Sequence, residues 1–409
     1  MAYGHKPDGS RPVILTFARH YLPGFRAGGP IRSIANLIAG LGDEFEFRVV
    51  TLDRDFGETG PYPAVALDRW VRMDQAWVMY VEPKHFGLHK IALIARETSH
   101  DLVYLNSFFD PRFTQQVLLA RWLRKLPERP LVIAPRGELS EGALQIKRIR
   151  KLAYIAIARS LGLYRGATWQ ATSTYEAADI RRHIKSADGR IVVAPNLSSV
   201  PARSDHQEVR VPWTPGMPLR VCFISRISRK KNLDYALRVL AQVRAPVHFT
   251  IYGPVEDAKY WTECKELIAR LPSNVNAVHA GELAHAEVDR ALRQHDVFFL
   301  PTRSENFGHV IQEALSAGLA IVTSDQTPWR DLQRYGVGWA LSLGDQRSFV
   351  QALEELASWD ASRFQKAQAS AIAYAAKSKD SKEALDASRY LFRHAGSRTR
   401  LAPPPAATE

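Results

Sequence analysis

SENFGHVIQEALSAGLAIVTSD, residues 304–325, decides the reading of the fold. The apolar run DVFFLP (296–301) precedes it, a helical stretch HVIQEALSAG fills its middle and LAIVTS closes it. A buried strand, a helix and a second buried strand make a βαβ unit with parallel strands. Two glutamates, Glu305 and Glu313, stand eight positions apart in it. On one continuous helix they would lie about 80° apart around the axis and roughly 12 Å apart along it, too far to meet over one small group. The spacing is better served by a helix that starts near Gly308. Glu305 then stands in a loop at the mouth of a strand, and Glu313 lies a turn and a half into the helix. That arrangement suits a ligand with two polar ends and an anion between them.

The same alternation extends in both directions. PVILTF, FRVVTL, DLVYLN, PLVIAP and RIVVAP read as buried parallel strands in the first half; LRVCFIS, VHFTIYG, NAVHAG, DVFFLP and LAIVTS do so in the second. Helical stretches such as IRSIANLIAGLG, NLDYALRVLAQV and AEVDRALRQH lie between them. The expected fold class is α/β, with two doubly wound Rossmann-like domains facing each other across a cleft. The Pro- and Ser-rich segment PNLSSVPARSDHQEVRVPWTPGMP lacks periodicity and reads as a connector. The expected organisation is therefore a domain at 1–195, a linker at 196–218 and a second domain at 219–375. A C-terminal helix at 376–395, returning to the first domain, and a disordered tail at 396–409 complete it.

With 409 residues and a hydrophobic fraction of 46%, two cores of moderate size can be filled. Lysine and arginine exceed aspartate and glutamate by 13, which favours acidic partners. Signatures of an RNA- or DNA-binding module are missing, so nucleic acid is not expected among them. The two cysteines, Cys222 and Cys264, suggest neither a disulfide framework nor a zinc site. No secretory leader and no run of about 18 apolar residues is read, so the expected location is cytoplasmic, with peripheral contact at the inner face of the membrane as an option.

Ligands of such sheets bind at the carboxyl ends of the strands. After VILTFA comes HYLPGFRAGGPIRSIANL, where Gly24, Gly28 and Gly29 make a flexible loop and Pro30 fits the first turn of a helix. The free amides of that turn suit a phosphate. The spacing is neither G-x-G-x-x-G nor a P-loop, so hydride and ATP chemistry are not supported. In FISRISRKKNLDYAL, the cations Arg226, Arg229, Lys230 and Lys231 crowd the loop before Asn232, a candidate N-cap. Positive charges repel a helix N-terminus, and their gathering there makes sense around an anion. Arg226 and Lys231 flank the turn at a spacing that suits one diphosphate. Amides around Phe307 and Gly308 would hold its distal phosphate, and the carboxylates of Glu305 and Glu313 would each take hydroxyls.

Together these segments resemble the family 4 retaining glycosyltransferases, whose fold is GT-B, over most of the chain. The E-x(7)-E element with Asn306-Phe307-Gly308 behind its first acid is the specific part. The resemblance implies that Glu305 lies against the donor sugar and Glu313 bonds the nucleotide ribose. It also implies that Arg226 and Lys231 bind the diphosphate, that Gly28–Gly29 close on it, and that Gly281 and Leu283 in HAGEL lie by the base. Many members carry His-Gly after the strand LVIAP; here the pair is Arg136-Gly137. Arginine is no general base at neutral pH, so Arg136 is expected to stabilise the departing phosphate or hold an acidic acceptor, unless it pairs with nearby Glu138.

The implied reaction moves a sugar from a UDP- or GDP-sugar to a hydroxyl with the anomeric configuration kept. No second acid is placed for a covalent route. Front-face departure is therefore expected, with Arg226, Lys231, Arg136 and helix amides neutralising the leaving diphosphate. No metal and no other cofactor is expected. The acceptor is expected on the first domain: a glycan, lipid-linked, in surface polysaccharide assembly. The helical spacing of LQIKRIRKLAYIAIARSLGLYRG (144–166), with Lys147, Arg148, Arg150 and Lys151, would suit an anionic membrane, or equally a surface helix packed on its own domain. A soluble sugar or sugar-phosphate acceptor, or a nucleotide-sugar-binding protein without turnover, are the alternatives.

Overall fold

Runs of β-branched and aromatic residues shielded on both faces become parallel strands, and each amphipathic stretch between them becomes the crossover helix. A computed structural model describes residues 9–198, 216–378 and 381–396 of the chain. It divides into two compact units, Met1–Ser199 with Ser381–Glu409, and Val200–Asp380. The segment expected as a linker falls largely outside the described residues, as does the expected tail beyond Gly396.

In unit 1 the strands are β1 (Val13–Phe17), β2 (Glu46–Leu52), β3 (Trp70–Met73), β4 (Ala76–Val81), β5 (Leu102–Leu105), β6 (Leu131–Ile133), β7 (Thr168–Ala171) and β8 (Ile191–Val193). Among the described residues they form one sheet in the order β3-β4-β2-β1-β5-β6-β7-β8. All neighbours run parallel except the β3–β4 hairpin at one edge. The helices are α1 (Gly29–Leu41), α2 (Leu88–Glu97), α3 (Gln116–Trp122), α4 (Glu141–Gln145), α5 (Arg148–Ser160) and α6 (Thr174–His183).

Unit 2 holds β9 (Leu219–Ile224), α7 (Leu233–Leu240), β10 (Val247–Tyr252), α8 (Ala258–Ile268), β11 (Val275–His279), α9 (His285–Arg293), β12 (Val297–Leu300), α10 (His309–Ser316), β13 (Ala320–Ser324), β14 (Gly338–Leu341), α11 (Gln346–Ala357) and α12 (Ala361–Ser378). Its sheet runs β11-β10-β9-β12-β13-β14, parallel throughout. That is the doubly wound order whose direction of winding reverses between β9 and β12, and ligands of such sheets sit at that reversal.

The last helix, α13 (Ser381–His394), belongs to unit 1. Its Leu391 and Phe392 are buried in the cluster around Phe45, Phe47 and Tyr104, and Phe392 meets all three rings edge-on. Arg389 and Arg393 both pair with Glu44. Burying an aromatic of this size stabilises the unit by about 1.5–3 kcal/mol.

Two readings from sequence are corrected here. The 144–166 stretch is not one helix: Lys147 takes a left-handed conformation (φ 60°) between α4 and α5, which breaks the chain's direction. Lys151 then folds inward, its Nζ donating to the Ala143 carbonyl at 2.6 Å, and burial pushes its pKa down. Asn232 stands at the N-cap position of α7 but does not cap it by its side chain, because its backbone is left-handed (φ 64°) and its amide is used elsewhere.

Candidate active site at the sheet reversal

The loops after β9 and β12 carry most of the residues singled out in unit 2, and they are stitched together. Asn232 Nδ2 donates to the Pro301 carbonyl at 2.9 Å, and its Oδ1 accepts from Arg303 Nε at 2.9 Å. The Lys230 carbonyl accepts from the Arg303 amide at 2.9 Å and from Thr302 Oγ1 at 3.1 Å. The Glu305 amide donates to the Gln326 carbonyl after β13, at 2.9 Å. Glu305 is thereby held at the end of the strands rather than on the helix.

Lys231 Nζ donates to Glu305 Oε2, and both side chains are largely shielded from solvent. Burial raises the Glu305 pKa, but the charges of Lys231 and then Lys230, with the Lys231 hydrogen bond, outweigh it and hold the carboxyl below the ordinary glutamate range. The pair is therefore a carboxylate facing an ammonium. Arg226, half-buried on the same loop, pairs with Glu256 at 3.2 Å. Thus Lys231 and Glu305 are in contact, while the carboxylate against Arg226 comes from the loop after β10. Arg229 turns outward to Glu263 and stacks over Tyr260.

Gly308 caps α10 with φ 79°. A Cβ there would stand 3.0 Å from Ile311 Cδ1 and 3.1 Å from Trp329 Nε1, so a side chain is both strained and crowded. Asn306 and Phe307 are half-buried in the loop before it, and Glu313 is half-buried on α10. The first amides of α10 supply the partial positive charge of a helix N-terminus. Sequence reasoning missed Trp329. Its Nε1 donates to the Phe307 carbonyl at 2.6 Å, and its ring lies edge-on to Phe307 and to Tyr374 of α12. Because carbonyl and N–H point opposite ways across a trans peptide, the indole fixes the direction of the Gly308 N–H. The signal was a lone Pro-Trp after a strand, which carries no chemistry by itself.

Gly281 (φ 86°) follows β11, its carbonyl accepting from the Gly253 amide at 2.8 Å, and Leu283 packs partly buried against the unit 2 core. The glycine loop and Arg136 lie in unit 1. Gly28 precedes α1 with φ 70° and open space where a Cβ would be; Gly29 and Pro30 start the helix. Arg136 does not pair with Glu138. Its Nε donates to Asn106 Oδ1 at 2.5 Å, its Nη2 to the Tyr104 hydroxyl at 2.6 Å, and its Nη1 to Asn196 Oδ1. Glu138 instead accepts from the Phe108 and Phe109 amides, both at 2.7 Å, and from Ser107. Arg136 has a left-handed backbone (φ 56°), uncommon for a residue with a Cβ and typical of functional positions.

Chemically, the reversal in unit 2 offers an anion-binding helix end, an ammonium neutralised by a carboxylate, and that carboxylate available to hydroxyls once an anion claims the lysine. Residues 206–378 match the model of the family glycosyl transferases group 1. The chain is 29% identical over 157 residues to the sulfoquinovosyl transferase SQD2 of Arabidopsis thaliana, covering 37% of this chain and 29% of that protein. It is 33% identical over 132 residues to a GDP-mannose-dependent alpha-mannosyltransferase of Mycolicibacterium smegmatis, 32% of each. The matched segments thus span about three tenths of these relatives. Among solved structures, Anabaena Alr3699/HepE in complex with UDP-glucose shares the fold with a TM-score of 0.66 at 19% identity, over 92% of this chain and 98% of that one. The fold class is α/β with two Rossmann-like units, that of the GT-B glycosyltransferases.

Proposed function

From the match of residues 206–378 to the model of the family glycosyl transferases group 1, we propose that the protein moves a sugar from a nucleotide-diphosphate donor to a hydroxyl of a glycan acceptor with retention of configuration. The observation that carries this reading is the shielded Lys231–Glu305 pair beside the Gly308 helix end at the strand reversal. A diphosphate arriving there takes the ammonium of Lys231. It also faces the amides of α10, directed by Trp329, and Arg226 takes its other oxygens. Glu305, released from Lys231 and still ionised, accepts from the donor sugar, and Glu313 takes the ribose diol. Gly281 and Leu283 border the base, and Gly28–Gly29 lend amides to the phosphates.

The bond from the anomeric carbon to the diphosphate breaks while the acceptor oxygen arrives on the same face, and a phosphate oxygen takes the acceptor proton. The protein's contribution is to neutralise charge that grows on the leaving group, from fixed cations and amides. Arg136, with two of its five N–H groups beyond its three protein bonds, is assigned to the same charge or to an acid on the acceptor. Neither a metal nor another cofactor is required. Release of sugar from UDP- and GDP-sugars, followed by NMR in EDTA, tests this: the first-formed anomer should match the donor and the rate should survive chelation. An inverted first product contradicts retention, and a rate lost in EDTA contradicts metal independence.

The acceptor is assigned to unit 1 and to a lipid-linked glycan. Support comes from α5 and its C-cap Leu161, which carry exposed apolar residues beside the face that buries Ile155 and Ala158. Ile149 is 85% exposed, Ile157 59% and Leu161 44%. Arg148, Arg150 and Arg159 are exposed on the same helix. No helix among the described residues is long and apolar enough to cross a membrane. Exposed apolar side chains framed by arginines suit an anionic bilayer surface, and a surface location would keep a lipid-linked acceptor near the site.

A further inference from the structure

Unit 1 contains a cavity of about 200 Å³ at the carboxyl ends of β1, β2 and β4. Arg19 and His20 come from the loop after β1, Arg54 and Phe56 from the loop after β2, and Arg112 and Phe113 from the turn before α3. We infer that this cavity binds one sugar ring bearing a carboxylate or phosphate, an acidic residue of the acceptor. The inference rests on the glycosyl-transfer reading and names its acceptor class.

Four observations carry it. The first is position: strand carboxyl ends are where α/β sheets take ligands, and the cavity lies wholly within the unit assigned to the acceptor. The second is the wall. Half-buried Phe56 supplies apolar surface of the kind on which a sugar's C–H face packs, with buried Phe113 behind it, and His20 stands edge-on to Phe56 with centroids 5.8 Å apart. His20 Nδ1 lies 3.4 Å from the Arg54 carbonyl, so with Nδ1 protonated Nε2 is an acceptor for a hydroxyl. Burial and then Arg19 push the His20 pKa down, which keeps the ring neutral around pH 7.

The third is charge. Asp55 and Glu58 also line the cavity, but both are committed. The Asp55 carboxylate accepts from the amides of Phe25, Arg26 and Phe56 at 2.7–3.1 Å, and Glu58 pairs with Arg26. Arg54 is held by Asp53 at 2.8 Å and Arg19 by Asp110 at 3.3 Å. Arg112 differs. Its Nη1 donates to the Pro83 carbonyl, and among the described residues its guanidinium makes no ion pair. A guanidinium oriented by one carbonyl keeps a planar edge for two parallel bonds to a carboxylate or phosphate. The fourth is linkage. The loop that begins at Arg19 ends at Gly28–Gly29, and Asp55 clamps its middle at Phe25 and Arg26, so a ligand in the cavity bears on the glycine loop.

The test titrates the full chain by calorimetry with methyl glucuronide, glucose 6-phosphate and methyl glucoside, each with and without saturating UDP or GDP. At least one acidic sugar should bind roughly tenfold more tightly than the neutral glycoside, as a charged hydrogen-bonded contact implies. Tighter binding of the glucuronide points to an acidic glycan residue, and of the phosphate to a soluble sugar phosphate. R112Q should erase the preference for acid, while Phe56→Ala should weaken all three sugars alike. Arg112 is exposed, so R112Q is expected to melt as wild type does. Equal binding of acidic and neutral sugars, binding of no acid, or an unchanged preference in R112Q overturns the assignment. Nucleotide binding in the same samples separates the two readings: if it is intact without an acid preference, only the cavity assignment falls. If neither UDP nor GDP binds, the reading beneath it falls too.

Discussion

The two units place polar residues at the same kind of position, the loops after parallel strands, and use them differently. In unit 2 the cation Lys231 is neutralised by Glu305, a group that must itself change partner when an anion arrives. In unit 1 the cation Arg136 is tied to Asn106, Asn196 and Tyr104, neutral groups that have no reason to let go, and Tyr104 is fixed in turn through Gln170 to the Ala194 carbonyl. One arrangement is exchangeable and the other is rigid. An exchangeable pair suits a ligand that must bind and leave at every turnover, and a rigid network suits a surface that only has to be presented.

The largest expected effect breaks the exchangeable side. Lys231→Ala should lower turnover roughly a thousandfold, the scale of removing one group that stabilises developing charge. The Glu305 carboxyl, left with burial and a weaker field, should titrate at higher pH than in the wild type. Its pKa is depressed in the fold, so the pair's contribution to stability is present above the ordinary glutamate value and lost as pH falls through the lowered one. In the variant the pair is gone and this pH-dependent contribution with it, so stability should fall less steeply on acidification through that window, which acid denaturation followed by fluorescence would register. Arg136→Ala comes next and strikes the rigid side. Leaving Asn106, Asn196 and Tyr104 with unmet bonds should cost stability of about 1–3 kcal/mol, with diphosphate affinity falling far less than in Lys231→Ala. Equal loss of nucleotide binding in the two variants would break the distinction.

These two sites also mark how much was legible in the sequence. Lys231 and Glu305 were readable because each lies in a contiguous motif after an apolar strand and before a helix. The partners of Arg136 come from after β5 and β8 and from within β5, so no local spacing could pair them, and proximity in sequence suggested Glu138 instead. Strands followed the same rule. Those with largely apolar runs, such as β9 (LRVCFI) and β12 (VFFL), were plain. β7 (TWQA) hides a fully buried strand behind Thr and Gln, the Gln170 amide serving the network around Tyr104, and β14 opens on a glycine. The β3–β4 hairpin turns at Asp74 (φ 48°) without a glycine to announce it.

Two smaller effects sharpen the comparison. Trp329→Phe keeps the ring and removes the donor to the Phe307 carbonyl, so affinity for the nucleoside diphosphate should fall several-fold to tenfold while the monophosphate is hardly affected. Equal loss for both would reduce Trp329 to packing. On the other unit, Ile149→Glu alters a side chain that is 85% exposed and should shift stability by no more than about 0.5 kcal/mol. Its effect should appear instead as weaker sedimentation with vesicles of phosphatidylglycerol, and unchanged sedimentation would detach α5 from the membrane.

The central claim is that the Lys231–Glu305 crevice of unit 2 exchanges its internal ion pair for a nucleoside diphosphate. A thermal-melt titration with UDP, GDP, ADP and CMP in EDTA, run on wild type and Lys231→Ala side by side, tests it most directly. One diphosphate should raise the wild-type melting temperature, by the equivalent of about 2.7 kcal/mol at a hundred times its dissociation constant, and should leave the variant unmoved. No shift with any nucleotide, or the same shift in both proteins, would contradict it.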